Sequence, residues 1–317
     1  MPRLIQPIRH FLLLALLFVA AVQSAGAACL APLQAPTAAQ LQMARQQAQD
    51  RGFLWRISKD GHASYLYGTI HVAKLEWTMP GAQLRAAWRA TDTLALELNL
   101  LDPATLGAVQ KGARDFNTSL LPAVFTEWVR KQAKENCMDL AQLQSMDPNF
   151  QLATITMANA RRSGLEAAFG LDLLLSQMAQ HPVRPIEALE SAQDQLDALK
   201  LDADQVNALE EIQAFSPEEQ AQAQAVLLRL ANAWAQSDYA TMDSYAQWCQ
   251  CLESASDQAQ LKRLIDDRNI HFAERIAALH AGGSRVFAAV GSLHLIGGDK
   301  GVPGLLAQQG FQIERVF

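Results

Sequence analysis

Segments that favour β-strands lie near both ends of this chain, and a long helical region separates them. The first two segments flank Asp60-Gly61, a dipeptide that favours a tight hairpin turn. A later segment, beginning at Arg285, is an apolar, β-branched run of the kind that lies inside a sheet. The predicted strands are Phe53 to Ser58, Ser64 to Ile70, Thr93 to Leu98, Arg285 to Val290 and Phe311 to Val316. The pattern therefore favours a sheet assembled from both ends of the chain.

The region from about Pro103 to Ala281 has a mostly helical pattern that is rich in alanine, glutamine and leucine. One short strand is predicted inside it, at Val183 to Ala188. Because a sheet must bury its faces against other elements, we predict an α/β fold with a mixed sheet. In this architecture residues 28–317 form a single domain, and residues 103–281 form a large helical insertion that caps the sheet.

The first residues have the features of a cleavable signal peptide. Arg3 and Arg9 give a positive start, Phe11 to Val22 form a short apolar run, and Ala25-Gly26-Ala27 supplies small residues for cleavage. We therefore predict that residues 1–27 are removed and that the protein is exported, to a periplasm or beyond it. Lipidation at Cys29 is the less favoured alternative, because Gly26 stands where a lipoprotein signal usually has a branched apolar residue. No later stretch is long and apolar enough to predict a membrane span.

The charge balance argues against nucleic acid as a partner. The chain has 26 lysines and arginines against 32 acidic residues, and the signal peptide contains two of those arginines. Non-specific nucleic-acid binding needs a basic cluster that neutralises several phosphates, and the sequence has none. Nucleic acid is therefore not expected as a partner, and the oligomeric state stays open.

Four cysteines enter an oxidising compartment if the protein is exported: Cys29, Cys137, Cys249 and Cys251. Two disulfides are the expectation, with three connectivities that the sequence does not separate. Half of a soft metal site at Cys249 and Cys251 is the alternative, but no second pair of cysteines or histidines follows with zinc-finger spacing.

Two of the predicted strands end in the same way. Tyr67-Gly68-Thr69-Ile70-His71 closes the second strand, and Val290-Gly291-Ser292-Leu293-His294 closes the strand near the end of the chain. Ligands of open α/β sheets bind beyond the carboxyl ends of the strands. Gly68 and Gly291 allow a close backbone approach, while His71 and His294 carry imidazoles that bind metals or move protons. The alternative is two ordinary histidines that are hydrogen-bonded beneath loops.

A third strand end adds a carboxylate. In Leu94 to Leu98 the leucines share one face and Glu97 lies on the other, in a segment otherwise suited to burial. A buried glutamate is costly unless it meets a cation, a metal or a hydrogen-bond donor. Glu97 is therefore a candidate metal ligand or catalytic base. A structural ion pair with an arginine is the alternative.

Four segments resemble the TraB/GumN family: Tyr67 to Val72, Leu94 to Leu98, Asp267 to Asn269 and Val290 to Leu295. The resemblance runs in order from about Phe53 to Phe317. It implies a fold similar to that of the EreA/ChaN superfamily. For the Tiki branch of the family it also implies metal-dependent hydrolysis of peptides.

The resemblance carries three further residues. Gly170-Leu171-Asp172 and Leu189-Glu190-Ser191, the latter followed by Gln195, look like the family's central acidic motifs, with Ser191 where threonine is expected. Surface charge and helix capping are the alternatives for these acidic residues. Arg268, in Asp267-Arg268-Asn269, is expected to pair with a carboxylate or an oxyanion. A charged helix face is its alternative.

These observations predict a metal-dependent hydrolase. His71, His294 and Glu97 would bind a divalent cation, either Mn²⁺, Co²⁺ or Zn²⁺, with positions left for water. Glu190 or Asp172 would act as general base, and Arg268 would stabilise developing negative charge. A peptide substrate follows from the family resemblance alone.

Two alternatives stay open for the function. The same cleft would suit a protein that sequesters a peptide or small signal without turnover. A structural role in envelope polysaccharide assembly is the other. The remaining histidines of the mature chain are expected to be bystanders: His62 in a turn, His181 in a loop, and His271 and His280 on a polar helix.

Overall fold

The structure is a computed structural model, and it describes residues 29–30, 33–116, 121–210, 217–252 and 254–317. The predicted signal peptide, residues 1–27, lies outside the described residues. None of the described helices is both long enough and apolar enough to cross a membrane.

Six strands form one mixed sheet, in the spatial order β4-β3-β5-β2-β1-β6. The strands are β1 (Phe53–Lys59), β2 (His62–Thr69), β3 (Thr93–Leu96), β4 (Ile186–Ala188), β5 (Val286–Gly291) and β6 (Gln312–Arg315). Both ends of the chain supply strands, and the described part of the central region supplies the short edge strand β4. The predicted α/β fold with a mixed sheet is therefore confirmed.

The predicted hairpin joins β1 and β2. Asp60 and Gly61 have φ angles of 52° and 82°, and the strands pair antiparallel with Lys59 opposite His62. A two-residue turn with two positive φ angles matches the right-handed twist of the strands that it connects. This part of the fold follows directly from the Asp-Gly dipeptide.

Four neighbouring strands run parallel. β2 pairs with β5, β5 with β3, and β3 with β4, all in parallel register, whereas β1 pairs antiparallel with both β2 and β6. Thr69 lies opposite Gly291, and Leu96 lies opposite Ala188. The carboxyl ends of β2, β5, β3 and β4 therefore meet at the same edge of the sheet.

The third strand is shorter than predicted. It ends at Leu96 rather than Leu98, and the carboxylate of the next residue, Glu97, accepts from Gly291 N–H and from Arg268. The backbone still carries the parallel pairing onward, since Leu189 N–H donates to the Leu96 carbonyl at 2.8 Å. Backbone hydrogen bonding to the β4 side therefore continues past the end of the strand, with Glu190 N–H donating to the Glu97 carbonyl at 3.2 Å.

The described residues form fifteen α-helices besides the sheet. They are α1 (Ala38–Gln46), α2 (Ala82–Ala90), α3 (Pro103–Gly112), α4 (Ala123–Asn136), α5 (Leu140–Gln144), α6 (Pro148–Ala160), α7 (Leu171–Met178), α8 (Ala192–Leu199), α9 (Ala203–Ala208), α10 (Pro217–Ala235), α11 (Tyr239–Asp243), α12 (Tyr245–Trp248), α13 (Ala255–Leu261), α14 (Asp267–Ala281) and α15 (Val302–Gln308). A π-helical turn, Lys262–Asp266, lies between α13 and α14. Thr37 caps α1 through a capping box with Gln40.

The helices bury two apolar cores. The main core packs the sheet against helices that include α2, α7 and α14, and Trp234 and Phe287 are among its largest buried side chains. A second core lies within the helical insertion, where Phe125 and Val129 of α4 pack against Leu143 and Leu152. The insertion thus has apolar packing of its own, while its last helix, α14, packs against α15 and β5. The boundaries of a cap at residues 103–281 stay a prediction.

The four cysteines pair within the chain. Cys29 is joined to Cys137, at the end of α4, and Cys249 is joined to Cys251. This is one of the three connectivities that the sequence left open. Cys249 and Cys251 are both fully buried in the main core, which also fits a disulfide better than half of a metal site.

Candidate functional site

Four parallel strand ends each contribute one side chain to a buried cluster. His71 follows β2, His294 follows β5, Glu97 follows β3, and Glu190 follows β4. Helices add the remaining groups, with Asp172 in the first turn of α7 and Arg268 in the first turn of α14. The cluster therefore lies where open α/β sheets bind their ligands.

Arg268 is the centre of the cluster. Its Nη2 donates to Glu97 Oε2 at 2.5 Å and to Glu190 Oε1 at 2.6 Å, and its Nε donates to Glu190 Oε2 at 2.9 Å. Nη1 donates to the carbonyl of Leu264, in the π-helical turn, at 3.0 Å. Only 4% of the residue is exposed, so the alternative of a charged helix face is wrong for Arg268. One guanidinium thus serves two buried carboxylates.

The pKa values of the two carboxyl groups shift in opposite directions. Burial raises the pKa of Glu190, and the nearby Glu97 adds to that rise while Arg268 opposes it. Burial also opposes ionisation of Glu97, but Arg268, His294 and His71 outweigh it and lower the pKa of Glu97 to about 2. Glu97 is therefore the ionised partner at neutral pH, and a proton entering the pair would go to Glu190.

His71 is held by a carboxylate. Its Nδ1 donates to Asp172 Oδ2 at 2.8 Å, and Thr69 Oγ1 donates to the other oxygen of that carboxylate at 2.6 Å. A carboxylate can only accept, so Nδ1 carries the proton and Nε2 carries the lone pair. Gly170 makes this approach possible, because a Cβ at that position would lie 2.7 Å from the His71 carbonyl oxygen. Asp172 is buried, which excludes the surface-charge alternative for it.

His294 has a matching arrangement with an amide. Its Nδ1 lies 2.7 Å from Asn269 Oδ1, and Asn269 Nδ2 donates to the carbonyl of Lys300 at 2.9 Å. The second hydrogen bond orients the amide, so Nδ1 donates and Nε2 accepts, here from Arg268 Nη1 at 3.3 Å. His294 Nε2 also lies 3.8 Å from Glu97 Oε1.

The charge state of His294 follows from its surroundings. Burial lowers its pKa to about 3, and Arg268 and His71 act in the same direction while Glu97 opposes them. The side chain is fully buried. The imidazole is therefore neutral at physiological pH, as a metal ligand has to be.

The motif glycines act through the backbone. A Cβ at Gly68 would lie 2.8 Å from Ser292 Oγ and 3.2 Å from Ser292 Cα, so the two motifs are packed directly against each other. Gly291 N–H donates to Glu97 Oε1 at 2.7 Å. Gly68 thus permits the close approach of the two strand ends, and the backbone of Gly291 orients the Glu97 carboxylate.

The two histidines share a feature with metal ligands, whereas the predicted set of three ligands is not assembled among the described residues. Among the described residues, no three histidine, cysteine, aspartate or glutamate side chains lie close enough together to hold an ion. Glu97 is already ion-paired with Arg268. Each imidazole, however, has its Nδ1 fixed by an acceptor and its lone pair on Nε2, which is the usual state of a metal-binding histidine. Glu97 as the third ligand stays a prediction.

Two residues of the cluster were not predicted to have a role. Thr69 and Asn269 orient the groups that hold the two histidines, yet both lie inside the motif segments, at Gly-Thr-Ile-His and at Asp-Arg-Asn. A polar residue next to each predicted ligand was the available signal. Gln195 lies near the cluster as well, since its Nε2 is 3.4 Å from Glu97 Oε2.

The histidines expected to be bystanders lie away from this cluster. His181 and His271 are exposed. The placement of the other two was wrong, since His280 is buried rather than on a polar face, and His62 begins β2. Their rings stack at 3.7 Å, and His280 also bonds to Ser64 Oγ and the Lys59 carbonyl.

Comparison with known proteins identifies similar sequences. A family model described as the TraB/PrgY/gumN family matches residues 53–315. Metalloprotease TIKI1 of Danio rerio is 36% identical over 78 residues, which are 24% of this chain and 14% of that protein. Uncharacterized protein YbaP of Shigella flexneri is 24% identical over 244 residues, which are 74% of this chain and 84% of that protein. No solved structure matches the chain.

Proposed function

The chain belongs to the TraB/PrgY/gumN family, and from that membership and the histidine–carboxylate cluster we propose that it is a metal-dependent hydrolase of peptides. One observation carries the proposal. Two buried histidines from neighbouring parallel strands each have Nδ1 fixed by an acceptor, so that Nε2 carries the lone pair, and they share the cluster with an ionised glutamate. The name of TIKI1, a metalloprotease, supports the choice of reaction, although its match spans a small part of that protein.

His71 and His294 would hold a divalent cation, either Mn²⁺, Co²⁺ or Zn²⁺. Glu97 would join them as a third ligand in exchange for its ion pair with Arg268. Such a cation, when bound, acidifies a water molecule and polarises a carbonyl group, which are the two requirements of amide hydrolysis near neutral pH. Asp172 and Asn269 would keep the imidazoles in the required tautomer.

Glu190, Asp172 and Arg268 are the candidates for general base and for stabilising an oxyanion. Of the two predicted bases, Glu190 is the better suited to exchange a proton, because burial raises its pKa. Asp172 is already hydrogen-bonded to His71 and Thr69. Arg268 supplies a fixed positive charge that would stabilise an oxyanion.

Export is part of the same proposal. The signal-like start of the sequence and the two cysteine pairs support folding in an oxidising compartment, either a periplasm or the exterior. The bond to Cys137 also disfavours the lipoprotein alternative, since a thiol in a disulfide cannot carry a thioether-linked lipid.

The proposal is tested by metal titration and by cleavage. The chain from residue 28 onward is treated with a chelator, and Mn²⁺, Co²⁺ and Zn²⁺ are titrated calorimetrically into wild type, His71→Ala/His294→Ala and the control His181→Ala/His271→Ala. We expect stoichiometric binding to wild type and to the control, and none to the site variant. Equal binding by all three proteins would exclude the metal site.

A peptide library then separates hydrolysis from simple binding. Wild type loaded with the metal that it binds is expected to cleave at least one peptide class, and Glu190→Gln is expected to cleave it more slowly with unchanged metal affinity. Metal-dependent capture of peptides without cleavage would favour the alternative function, a binding protein that sequesters a peptide or small signal.

A further inference from the structure

A cavity of about 210 Å³ lies beside the sheet, between α2 and α7. Aromatic and aliphatic side chains form most of its wall, among them Tyr67 and Phe287 of the sheet, Trp88 of α2, Leu174 of α7 and Trp77. It is larger than an engineered apolar cavity of about 150 Å³ that binds benzene. The cavity therefore has room for an apolar group the size of a short acyl chain or an aromatic ring.

The charged residues that line the cavity are all positive. Arg51, Arg85 and Arg89 line the cavity, and no acidic residue is among the described residues that line it. Arg85 and Arg89 are exposed, so the cavity reaches solvent beside them, whereas Arg51 is half-buried. An apolar chamber with a cationic entrance matches a ligand that is apolar at one end and negatively charged at the other.

Arg51 is a cation without a direct counter-charge. Its Nη1 donates to the carbonyl of Ala235 at 3.0 Å, and its terminal nitrogens also face the side-chain amide of Gln49. Within the described part of the chain, no acceptor lies within hydrogen-bonding distance of its buried Nε, and no carboxylate forms an ion pair with it. Burial accordingly lowers the pKa of Arg51, with Glu76 opposing at longer range.

The nearest carboxylate in the sequence is already engaged. Asp50 accepts from the backbone N–H groups of Gln83 at 3.1 Å and Leu84 at 2.8 Å, at the start of α2. Its charge is therefore directed to the helix rather than to the guanidinium. The partly desolvated Arg51 still lacks a hydrogen-bonding anion, and a ligand carboxylate would supply one.

We propose that this cavity binds a small amphiphilic carboxylate, with its hydrocarbon part between α2, α7 and the sheet and its carboxylate on Arg51. The site is distinct from the histidine–carboxylate cluster and does not depend on the proposed hydrolysis. Leu171 lines the cavity and is followed in α7 by Asp172, so the two sites share one helix.

Binding of sodium octanoate tests the proposal, with 1-octanol and octylamine as neutral and cationic analogues. Trp77 and Trp88 line the cavity, so tryptophan fluorescence reports occupancy, and calorimetry gives the stoichiometry. We expect one octanoate per chain and at least about tenfold weaker binding of octanol, since the carboxylate adds a charge-assisted hydrogen bond. Absence of saturable octanoate binding, or equal affinity for octanol, would overturn the proposal.

Two variants with matched controls locate the ligand. Arg51→Gln is expected to weaken octanoate binding about tenfold and leave octanol binding unchanged, whereas Arg275→Gln, an exposed arginine outside the cavity, changes neither. Leu174→Trp fills the cavity and should abolish binding of both compounds, whereas Leu305→Trp, at a half-buried position on α15, should not. If Arg51→Gln fails to fold, Arg85→Gln/Arg89→Gln replaces it. The site would be refuted if octanoate bound with wild-type affinity both to Leu174→Trp and to whichever arginine variant folds.

Discussion

At the scale of single residues, the most consequential contact is one arginine shared by two buried carboxylates. Arg268, Glu97 and Glu190 come from α14 and from the ends of two different strands, and almost nothing of their side chains is exposed. Desolvating three charges is costly, and only their mutual contacts compensate for it. The mutual contacts of the trio therefore hold Glu97 in place, with its Oε1 3.8 Å from His294 Nε2.

The first prediction concerns this trio. Arg268→Met should lower the free energy of unfolding by about 3 to 5 kcal/mol, because it leaves two buried carboxylates without their cation. Urea denaturation followed by circular dichroism measures the change. Arg275→Met is the matched control, since Arg275 forms an exposed ion pair with Glu187 and should cost less than about 1 kcal/mol. A loss below about 1 kcal/mol for Arg268→Met would contradict the view that Arg268 compensates the two buried carboxylates. Adding Glu97→Gln and Glu190→Gln to Arg268→Met should recover part of the lost stability.

The second prediction is a pH dependence that arises at His280. Burial lowers the pKa of His280 below its ordinary value of 6.5, with the stacked His62 acting in the same direction and the Lys59 carbonyl opposing. The unfolded chain then binds the proton more readily, so stability is complete above pH 6.5 and falls as the pH drops below that value. One pH unit below 6.5, the loss from this group is at most about 1.4 kcal/mol.

Unfolding by urea at pH 7.5 and 5.5 checks this effect. His280→Gln keeps a polar side chain but does not titrate, so its stability should fall less between the two pH values than that of wild type. His271→Gln, at an exposed position on the same helix, serves as the control and should behave like wild type. Identical pH slopes for wild type and His280→Gln would rule out His280 as the source.

At the scale of elements, the site depends on how closely strand ends approach each other. β2 and β5 are parallel neighbours, and the two Gly-x-x-His motifs continue from them in contact, with Ser292 Oγ donating to the Thr69 carbonyl at 2.9 Å. The π-helical turn before α14 offers its Leu264 carbonyl to Arg268, and such turns are frequent at functional sites. The segments after β2 and β5 and the π-helical turn thus depart from regular strand and α-helix geometry, and they position the two histidines and Arg268.

The third prediction tests the approach of the two motifs. Gly68→Ala should cost about 1 to 3 kcal/mol of stability, because its Cβ would overlap Ser292. Gly107→Ala is the control, since nothing lies within 4 Å of a Cβ there and the substitution removes a helical glycine from α3, which should stabilise by about 0.5 to 1 kcal/mol. Thermal unfolding of both variants gives the comparison. A neutral Gly68→Ala would mean that the motifs are not packed against each other.

At the scale of the whole molecule, the described residues bury two apolar cores. The second core is formed by α4 to α6 with Leu209, while the main core joins residues from both ends to central residues such as Leu171 and Trp234. Cys29 precedes α1 and Cys137 ends α4, so their bond ties the start of the described chain to the insertion. A bond that spans 108 residues restricts the unfolded chain far more than the Cys249–Cys251 bond, which spans two.

The fourth prediction follows from that difference. Cys29→Ala/Cys137→Ala should lower the free energy of unfolding by about 2 to 4 kcal/mol under oxidising conditions. Urea denaturation with and without reductant measures it, and the effect of reductant should be much smaller in this variant than in wild type. Cys249→Ala/Cys251→Ala is the comparison, and it should retain most of the response to reductant. A response that disappears only in the second variant would assign the stabilising bond to the other pair.

Much of the fold and the positions of the candidate site residues were open to prediction because their signals are local. Asp60-Gly61 determines a hairpin turn, the apolar runs determine strands, and the repeated Gly-x-x-His endings determine where imidazoles follow those strands. The α/β class and the origin of the sheet from both ends follow from these short-range patterns, since turn geometry and strand preference depend on neighbouring residues.

The tertiary structure alone decided what the site residues contact. Glu97 and Arg268 lie 171 positions apart, and no short-range rule states whether such a carboxylate meets a metal, a solvent-exposed lysine or a buried guanidinium. The same holds for the burial of His280, for the pairing of the cysteines and for the arginine-lined cavity between α2 and α7. Each of these depends on which surfaces meet when the whole chain packs, because burial sets both the cost of a charge and the partner that compensates for it.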